Sequence, residues 1–316
     1  MKPLPLIALA PMEGVTDVVF RQVVAAAARP DLFFTEFTNV SSFASEKGRA
    51  NALERLEIAP SDPPIIAQIW GKNPDHFSEL SSALKNLGFS GIDLNFGCPD
   101  RHVNRVGGGA AMIKTPDLAV DCLRRAKESS QGLPVSVKTR LGYSSLSEYP
   151  AWLSTLLRES PAMLTVHLRT KKEMSKVPAH YEVISDILRL RAELAPQTKI
   201  LLNGDIKNRT EALILSQKFT EADGFMIGRG VFENPFCFKA TEDGSPYVPS
   251  RSELLALLNL HLDLFDKHSA TTPRSYEPLK HYFKIYLRDF PGASDLRARL
   301  MDTHSTNEAR AILSSL

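Results

Sequence analysis

Residues Gly91–Pro99 read GIDLNFGCP, a short apolar run that ends in an amide and continues into Gly97, Cys98 and a proline. An apolar run of this length, bounded by glycine and proline, predicts a buried strand. Cys98 therefore follows the carboxyl end of a strand. Runs of the same kind recur along the chain, so this stretch indicates both the fold and a candidate site.

The chain contains eight such runs, separated by helical patterns. The predicted strands are Leu6–Leu9, Leu32–Thr35, Ile65–Gln68, Gly91–Asn95, Val135–Lys138, Met163–His167, Lys199–Asn203 and Gly224–Gly228. The clearest helical patterns are Asp75–Leu87, Pro116–Glu128, Tyr181–Leu194 and Arg209–Phe219. Eight alternating strands and helices over residues 1–240 predict a (β/α)8 TIM barrel. A doubly wound α/β sheet is the alternative, but it usually has fewer strands, and no Gly-x-Gly-x-x-Gly follows the first strand.

Strand signals stop after about residue 240. Residues 243–250 are rich in glycine, proline and serine and predict a linker. Four helical patterns follow, Ser252–Lys267, Pro278–Arg288, Asp295–Met301 and Asn307–Leu313. We therefore predict a second, all-helical domain over residues 250–316.

Composition narrows the class of protein. The 316 residues carry a net charge of +2 and only three cysteines. An odd number of irregularly spaced cysteines argues against a disulfide framework and against a zinc site, and fits a cytoplasmic protein. No apolar run approaches the roughly 20 residues of a membrane span. The short apolar start is read as a strand rather than a signal peptide.

The predicted strands end in polar residues that a barrel would gather at one rim. Gln68, Asn95, Lys138 and His167 each close or follow an apolar run. The alternative is that these residues are polar only because the strand ends reach solvent. That interpretation explains any one of them, but it explains less well why two apolar runs end in Lys138 and His167. The first strand ends in Pro11, Met12 and Glu13, whose backbone is expected to lie against a ligand.

The loops after the last two strands predict a phosphate site. They contain Asn203, Gly204 and Asp205 in one case, and Gly228 and Arg229 in the other. Barrels often bind phosphate there, because glycines let backbone N–H groups approach and an arginine adds a charged bond. Two ordinary turns with a solvated arginine are the alternative. One phosphate site together with Lys138 and Gln68 suits flavin mononucleotide (FMN).

Cys98 is the candidate catalytic residue. Cys122 lies inside a helical pattern and Cys237 near the end of the barrel, so both are expected to be structural. A thiol in the position of Cys98 is either a nucleophile or a general acid. The flavin-like rim favours redox chemistry, and hence the general acid.

Seven motifs together resemble the tRNA-dihydrouridine synthase family, in the order in which that family has them. They are Ala10–Asp17, Asp93–Pro99, Gly107–Ala110, Lys138–Arg140, Val166–Thr170, Asn203–Asp205 and Ile227–Gly230. Each motif alone is weak, but together they are specific and span most of the chain.

The resemblance implies an NADPH-dependent, FMN-containing enzyme that reduces a uridine of tRNA to 5,6-dihydrouridine. It implies that the flavin gives hydride to C6 and that Cys98 protonates C5. Asn95, Arg140 and Arg169 would hold the substrate. The flavin would be held by Pro11, Met12, Glu13, Gln68, Lys138, His167, Asn203, Gly204, Asp205, Gly228 and Arg229. We expect a monomer whose helical domain recruits tRNA.

The chain departs from the family at the sixth strand. Leu168 stands where the family usually has glycine. The family also tends to have a tyrosine and a tryptophan in the next loop, whereas Lys171–Tyr181 has only Tyr181, at its end. Substrate handling by this loop is therefore in doubt. The residues around Glu13 and Glu36 are similar to the bacterial C-type branch, which acts in the D-loop of tRNA.

Two groups of cations could contact RNA. Lys280 and Lys284 are four residues apart, with Arg288 four further on, so we predict one cationic helix face. The rim loops add Arg101, Arg105, Arg140, Arg169, Lys171, Lys172 and Lys176, against two acids in the same segments. A solvated helix face is the alternative for the first group.

Two other functions remain open at this point. One is an FMN barrel oxidoreductase for a free small molecule, which would not need a cationic rim or a helical domain. The other is a tRNA-binding factor with a decayed flavin site, for which Leu168 is the only sign.

Overall fold

The computed structural model describes residues 4–62 and 64–314. Residues 1–3, 63 and 315–316, which the two predicted domain ranges include, lie outside the described residues. Nine parallel strands form one sheet: β1 (Leu6–Leu9), β2 (Phe33–Phe34), β3 (Thr38–Asn39), β4 (Ile65–Trp70), β5 (Gly91–Phe96), β6 (Val135–Arg140), β7 (Met163–His167), β8 (Lys199–Asn203) and β9 (Gly224–Ile227).

The strand order closes the sheet into the predicted barrel. The order is β1-β9-β8-β7-β6-β5-β4-β2, and β3 pairs with β4 beyond β2. A parallel bridge between Ala8 and Leu32 joins the two ends. The second predicted strand is therefore right in place but is split, because the chain leaves the ladder after Phe34 and returns to it at Thr38.

The helices of the barrel lie mostly between consecutive strands, as the (β/α)8 pattern requires. The α-helices are α1 (Val18–Ala27), α2 (Val40–Ala44), α3 (Glu46–Glu54), α4 (Pro74–Leu84), α5 (Arg101–Arg105), α6 (Pro116–Ser129), α7 (Tyr149–Arg158), α8 (Ile184–Leu194), α9 (Arg209–Lys218) and α10 (Gly230–Glu233). Short 3-10 turns cover Gly109–Lys114, Leu146–Glu148 and Tyr181–Val183. Asp17 and Asn73 cap α1 and α4 with their side chains.

Two packed layers hold the barrel together. A small cluster fills its interior, including Phe34, Met163, Leu201 and Met226. A larger cluster lies between the strands and the surrounding helices. Cys122 and Cys237 are buried, as expected for structural cysteines.

A helical region follows the barrel. It contains α11 (Arg251–Ser269), a 3-10 turn (Glu277–Tyr282), α12 (Phe283–Tyr286), α13 (Ala293–Met301) and α14 (Thr306–Leu313). α11 begins at a capping box of Ser250 and Glu253, as its sequence indicates. The region packs on α1, where the ring centroids of Phe20 and Tyr282 are 4.7 Å apart. None of the helices in the described part of the chain is long and apolar enough to cross a membrane.

The predicted cationic helix face is wrong. Lys280 lies in the 3-10 turn and Lys284 in the separate helix α12, and a 3-10 turn has about three residues per turn, so a spacing of four does not keep them on one face. Lys280 is only 6% exposed and pairs with Glu277 at 2.9 Å. Arg288 donates to the backbone carbonyl of Glu233. Lys284 is the one exposed residue of the three.

A buried ion pair anchors the start of α1. Arg21 binds both oxygens of Asp62 at 3.1–3.2 Å and donates to the carbonyls of Thr16 and Glu57. Both side chains are at most 1% exposed. We expect Arg21→Met to lower the free energy of unfolding by about 3–5 kcal/mol, because it leaves Asp62 buried and unpaired.

Urea unfolding of Arg49→Met provides the control. Arg49 pairs with Glu79 on the surface, where both side chains are more than 40% exposed. Loss of an exposed pair costs about 0–1 kcal/mol. Equal losses in the two variants would contradict the role assigned to the buried pair.

Candidate active site

The carboxyl ends of the strands surround a cavity of about 440 Å³, the strand-end cavity. Six of the strand-end segments contribute to it. Its lining includes Pro11, Met12, Lys138, Arg140, His167, Asn203, Gly204, Asp205, Gly228 and Arg229. The sequence therefore predicted most of this wall, because parallel strands bring their carboxyl ends to the same rim.

Lys138 and His167 present groups that the protein leaves free. Nδ1 of His167 is buried without a hydrogen-bond partner. The ammonium group of Lys138 makes no hydrogen bond or ion pair among residues 4–62 and 64–314. Buried polar groups normally have hydrogen-bond partners. Because these two groups have none within the protein, both are available to a bound ligand.

Burial also sets the charge of these two groups. It lowers the pKa of Lys138 to about 8, assisted by Arg140 and opposed by Asp93. It lowers the pKa of His167 well below the usual value, assisted by Arg140 and Lys138. At neutral pH the cavity therefore holds one ammonium group beside a neutral imidazole, which suits a ligand with both an anionic and a hydrogen-bonding part.

The two predicted phosphate loops meet at one end of this cavity. Gly204 has φ +130°, a value that L side chains rarely adopt, and Asp205 follows it at φ +54°. Arg229 approaches Asp205 at 3.3 Å. Gly228 is open toward the cavity, since a Cβ built there would meet only Ala10 and Met12, at 3.6 and 4.0 Å.

Arg169 is not where a substrate ligand would lie. Its side chain is 2% exposed, donates to the carbonyl of Val177 and forms an ion pair with Asp205. It is among the lining residues of neither cavity described here. The predicted direct contact is replaced by a supporting one, because a fully buried guanidinium must spend its donors on protein acceptors.

Cys98 lines a second cavity beside the strand-end cavity. This outer cavity has a volume of about 680 Å³ and is lined by Cys98, Trp70, Asn39, Arg55 and other residues. Pro99 and Met174 line both cavities. The thiol is thus placed to act on a molecule that reaches from the outer cavity toward a ligand at the strand ends.

Glu13 belongs to the outer cavity rather than the strand-end cavity. Its carboxylate pairs with Arg55 at 2.5 Å, and Arg55 also approaches Glu36 at 3.6 Å. The side chain therefore faces the outer cavity, and the predicted flavin contact of Glu13 stays a prediction. Burial, with Asp17 and Glu13 nearby, raises the pKa of Glu36 to about 7. Arg55, Trp70 and Asn39 were missed. Trp70 ends β4, whose predicted strand stopped at Gln68, Asn39 ends β3, which was not predicted, and Arg55 follows α3.

The segment that carries Cys98 is tightly held. Its N–H donates to Oδ1 of Asn95 at 2.9 Å, and its carbonyl accepts from Ala110 and Asn104. Gly109 has φ +57° and would place a Cβ against Cys98, so only glycine fits there. Arg140 ties the segment to the next loops by donating to the carbonyls of Gly97, Thr170 and Met174.

The two amides near this segment are buried. Gln68 is fully buried and its Oε1 accepts from Asn95 at 3.0 Å. Neither is among the residues that line the two cavities. Leu168, the departure from the family pattern, is also fully buried, and its N–H donates to Asn203. The extra side chain therefore fills the core and leaves the cavity free.

The thiol of Cys98 keeps its proton at neutral pH. Burial raises its pKa, with a hydrogen bond from the Asp100 backbone and the charges of Arg140 and Lys138 acting in the opposite direction. A protonated thiol can donate a proton, whereas a catalytic nucleophile usually needs a depressed pKa. The structure therefore favours the general acid over the nucleophile.

The parallel strands close into a (β/α)8 barrel. Free polar groups and a protonated thiol lie at the carboxyl ends of the strands, and together these features define a TIM-barrel enzyme. The family model described as "Dihydrouridine synthase (Dus)" matches residues 8–315. The chain belongs to the dihydrouridine synthase family and is a flavin-dependent oxidoreductase by class.

Two relatives are similar over almost the whole chain. A Bacillus subtilis (strain 168) protein named "Probable tRNA-dihydrouridine synthase 2" is 49% identical over 311 residues, 98% of this chain and 94% of that protein. A Staphylococcus aureus (strain COL) protein named "Probable tRNA-dihydrouridine synthase" is also 49% identical, over 98% of this chain and 93% of that protein. The solved structure of morphinone reductase in complex with tetrahydroNAD has a TM-score of 0.52 at 13% identity, over 78% of this chain and 89% of that chain. That likeness concerns the barrel fold alone.

Alkylation of Cys98 by iodoacetamide checks its protonation. We expect the pH at half-maximal rate to lie above the value of about 8.5 found for a free thiol, because burial disfavours the thiolate. Mass spectrometry of the labelled protein, with Cys98→Ser as the control, identifies the thiol that reacts. A midpoint below that of free cysteine would contradict the assignment as a proton donor.

Proposed function

We propose that this protein is a tRNA-dihydrouridine synthase that reduces the C5=C6 bond of a uridine in tRNA, with FMN as the bound cofactor and NADPH as the reductant. The observation that carries this proposal is that Cys98 lines the outer cavity, while the next residue, Pro99, lines both the outer cavity and the strand-end cavity. The full-length similarity to the two relatives supports the choice of substrate.

The residues of the strand-end cavity fit FMN. The two loops with Gly204 and Gly228 suit a phosphate group, and Arg229 adds a positive charge beside them. Lys138 and Nδ1 of His167 are free to bind the ring system. Gln68 is fully buried and lines neither cavity, so its contact with the flavin stays a prediction. When bound, FMN supplies the hydride.

The side chains of this chain then handle the proton and the substrate. Cys98 donates its thiol proton to C5 of the uracil, and the thiolate left behind is stabilised by the charges of Lys138 and Arg140. Proton uptake from solvent restores the thiol. Asn95 and Arg140 hold the segment that carries Cys98 against the uracil site. A uridine in folded RNA must be extruded to reach this depth.

The exposed cations at the rim supply a surface for the RNA backbone. Arg140 and Arg169 of the predicted group are buried, but Arg101, Arg105, Lys172 and Lys176 are exposed. Lys114 and Lys171 lie 4.4 and 4.9 Å from the ring centroid of Tyr143, which adds an aromatic face between two cations. Such a combination suits a phosphodiester strand with an unstacked base.

Lys280 and Lys284 have a smaller place in this proposal than the sequence suggested. Lys284 is exposed and available, whereas Lys280 is buried beside Glu277. We also propose a cytoplasmic monomer, since tRNA is its substrate. The choice of uridine and the similarity to the C-type branch stay predictions.

Dihydrouridine mapping tests the proposed function. We expect the purified protein with NADPH to convert one uridine position in tRNA from cells that lack the gene, and to leave tRNA from wild-type cells unchanged. Mass spectrometry of nuclease fragments measures the product and its position. NADPH consumption with a free pyrimidine but not with tRNA would favour the small-molecule reductase instead.

Gly228→Val tests the cofactor site. The new side chain meets only ordinary contacts at its Cβ but extends into the strand-end cavity. We expect a folded protein that retains less than about a tenth of the FMN bound by the wild type, because loss of a close backbone approach excludes the phosphate. Flavin released on heating measures the content, and circular dichroism confirms folding. A fully yellow variant would place the cofactor elsewhere.

A charge reversal tests the RNA surface. We expect Lys114→Glu with Lys171→Glu to weaken tRNA binding and to reduce the salt slope of the binding constant by about one for each phosphate that the protein no longer neutralises. Filter binding over a range of salt concentrations provides the measurement. Lys199→Glu is the control, since Lys199 is exposed at the opposite end of the barrel. An equal loss of tRNA affinity in the control would show that Lys114, Lys171 and Tyr143 are not part of the RNA interface.

A further inference from the structure

Asp93 is a buried carboxylate that the proposed reaction has not yet used. It lies in β5, two residues before Asn95, and is fully buried. Its Oδ1 accepts the hydroxyl of Ser136 at 2.6 Å, and its Oδ2 accepts Nε2 of Gln68 at 2.6 Å. Gln68 lies on β4 and Ser136 on β6, the two strands beside β5, so the carboxylate of Asp93 links three strands of the barrel.

The carboxylate fixes the direction of a chain of hydrogen bonds. An ionised carboxylate only accepts, so Gln68 must turn its NH2 group toward Asp93 and its oxygen away. That oxygen accepts Nδ2 of Asn95 at 3.0 Å. Asn95 must then turn its own oxygen outward, where it accepts the N–H groups of Gly97 at 3.1 Å and Cys98 at 2.9 Å.

A reversed chain would fail at its far end. If both amides flipped, Asn95 would place an NH2 group against the two backbone N–H groups of Gly97 and Cys98. Each buried donor left without an acceptor costs about 1–3 kcal/mol. The orientation of the segment that carries the thiol is thus decided by Asp93, which lies on the same strand as Asn95 and acts on it through Gln68 of the neighbouring strand.

Asp93 also acts on the cation of the strand-end cavity. Asp93 pairs with Ser136 in the register of β5 and β6, and Lys138 follows Ser136 by two residues, so the side chains of Asp93 and Lys138 lie on the same face of the sheet. The negative charge of Asp93 raises the pKa of Lys138, against the effects of burial and of Arg140. Burial raises the pKa of Asp93 itself to about 6, with Ser136, Gln68 and Lys138 acting to lower it. At pH 7 and above the carboxylate is therefore mainly ionised, as the direction of the chain requires.

We propose that Asp93 is a positioning residue of the reaction, which orients Gln68 and Asn95 so that the Cys98 thiol faces the substrate and which supplies the negative charge beside Lys138. The orienting role of Asp93 concerns the proton donor, Cys98, and its negative charge concerns the cofactor side of the site. The link to catalysis rests on the proposed function, whereas the orientation of the amides does not.

Two substitutions separate the two effects. Asp93→Asn removes the charge but can retain the chain, because its amide oxygen still accepts from Gln68 and its NH2 group can donate to the Ser136 hydroxyl. Asp93→Leu removes both the charge and the acceptor. Ser136→Ala is the control, since it removes one bond to Asp93 and leaves the two amides held.

Alkylation of Cys98 reports on the chain without any need for activity. We expect the rate at fixed pH to rise about tenfold or more in Asp93→Leu, because the released segment exposes the thiol, and to change less than about threefold in Asp93→Asn and Ser136→Ala. A wild-type rate in Asp93→Leu would overturn the orienting role. An equal increase in Asp93→Asn would also overturn it, since that variant retains an acceptor.

Reduction of the bound flavin by NADPH reports on the charge. We expect the limb of the pH profile that reflects loss of the Lys138 proton to move to lower pH in Asp93→Asn, and to stay in place in Ser136→Ala. An unshifted profile in Asp93→Asn would overturn the electrostatic role, and this arm decides alone if Asp93→Leu does not fold. Failure of the wild type to form dihydrouridine would count against the proposed function and leave the alkylation result intact.

Discussion

The parallel register of the barrel is the constraint on which the site depends. Asn95 pairs with Lys138, Arg140 with His167, and His167 with Asn203, each on neighbouring strands. In a parallel sheet these partners lie side by side at the same height, so residues up to about 100 positions apart in sequence meet at one rim. A slip of one residue in any strand would turn its polar group to the opposite face of the sheet.

The polar side chains around that rim are of two kinds, those left without a protein partner and those bonded within the protein. Lys138 and His167 are partly buried and left free, whereas Arg140, Arg169 and Asp93 spend their hydrogen bonds on neighbouring loops and amides. Lys138 and His167 can therefore contact a ligand. The other three residues hold the surrounding loops and amides in position. Burial of Cys98 follows from the same arrangement and keeps a proton on a thiol that stands beside two cations.

Much of this could be predicted from the sequence, since strand positions and strand ends follow from short apolar runs. β1, β7 and β8 match their predicted bounds, and Cys98, Lys138 and Gly228 lie where the motifs indicated. The side chains of Glu13, Arg169 and Lys280 show what the sequence could not decide. Glu13 and Arg169 lie within motifs and Lys280 lies outside them, and only the fold shows that they pair with Arg55, Asp205 and Glu277. Trp70 was missed because the predicted strand ended two residues too early, and Arg55 was missed because it follows α3 and not a strand.

The central claim is that the Cys98 thiol supplies a proton to a uracil in tRNA whose hydride comes from the bound flavin. Stopped-flow reoxidation of the pre-reduced enzyme by tRNA, for the wild type and Cys98→Ala, tests it most directly. We predict that the variant binds tRNA and is reduced by NADPH as the wild type is, but that its flavin is reoxidised by tRNA at least about a hundredfold more slowly, within the range found for a lost general acid. Equal reoxidation rates with natural tRNA would contradict the account.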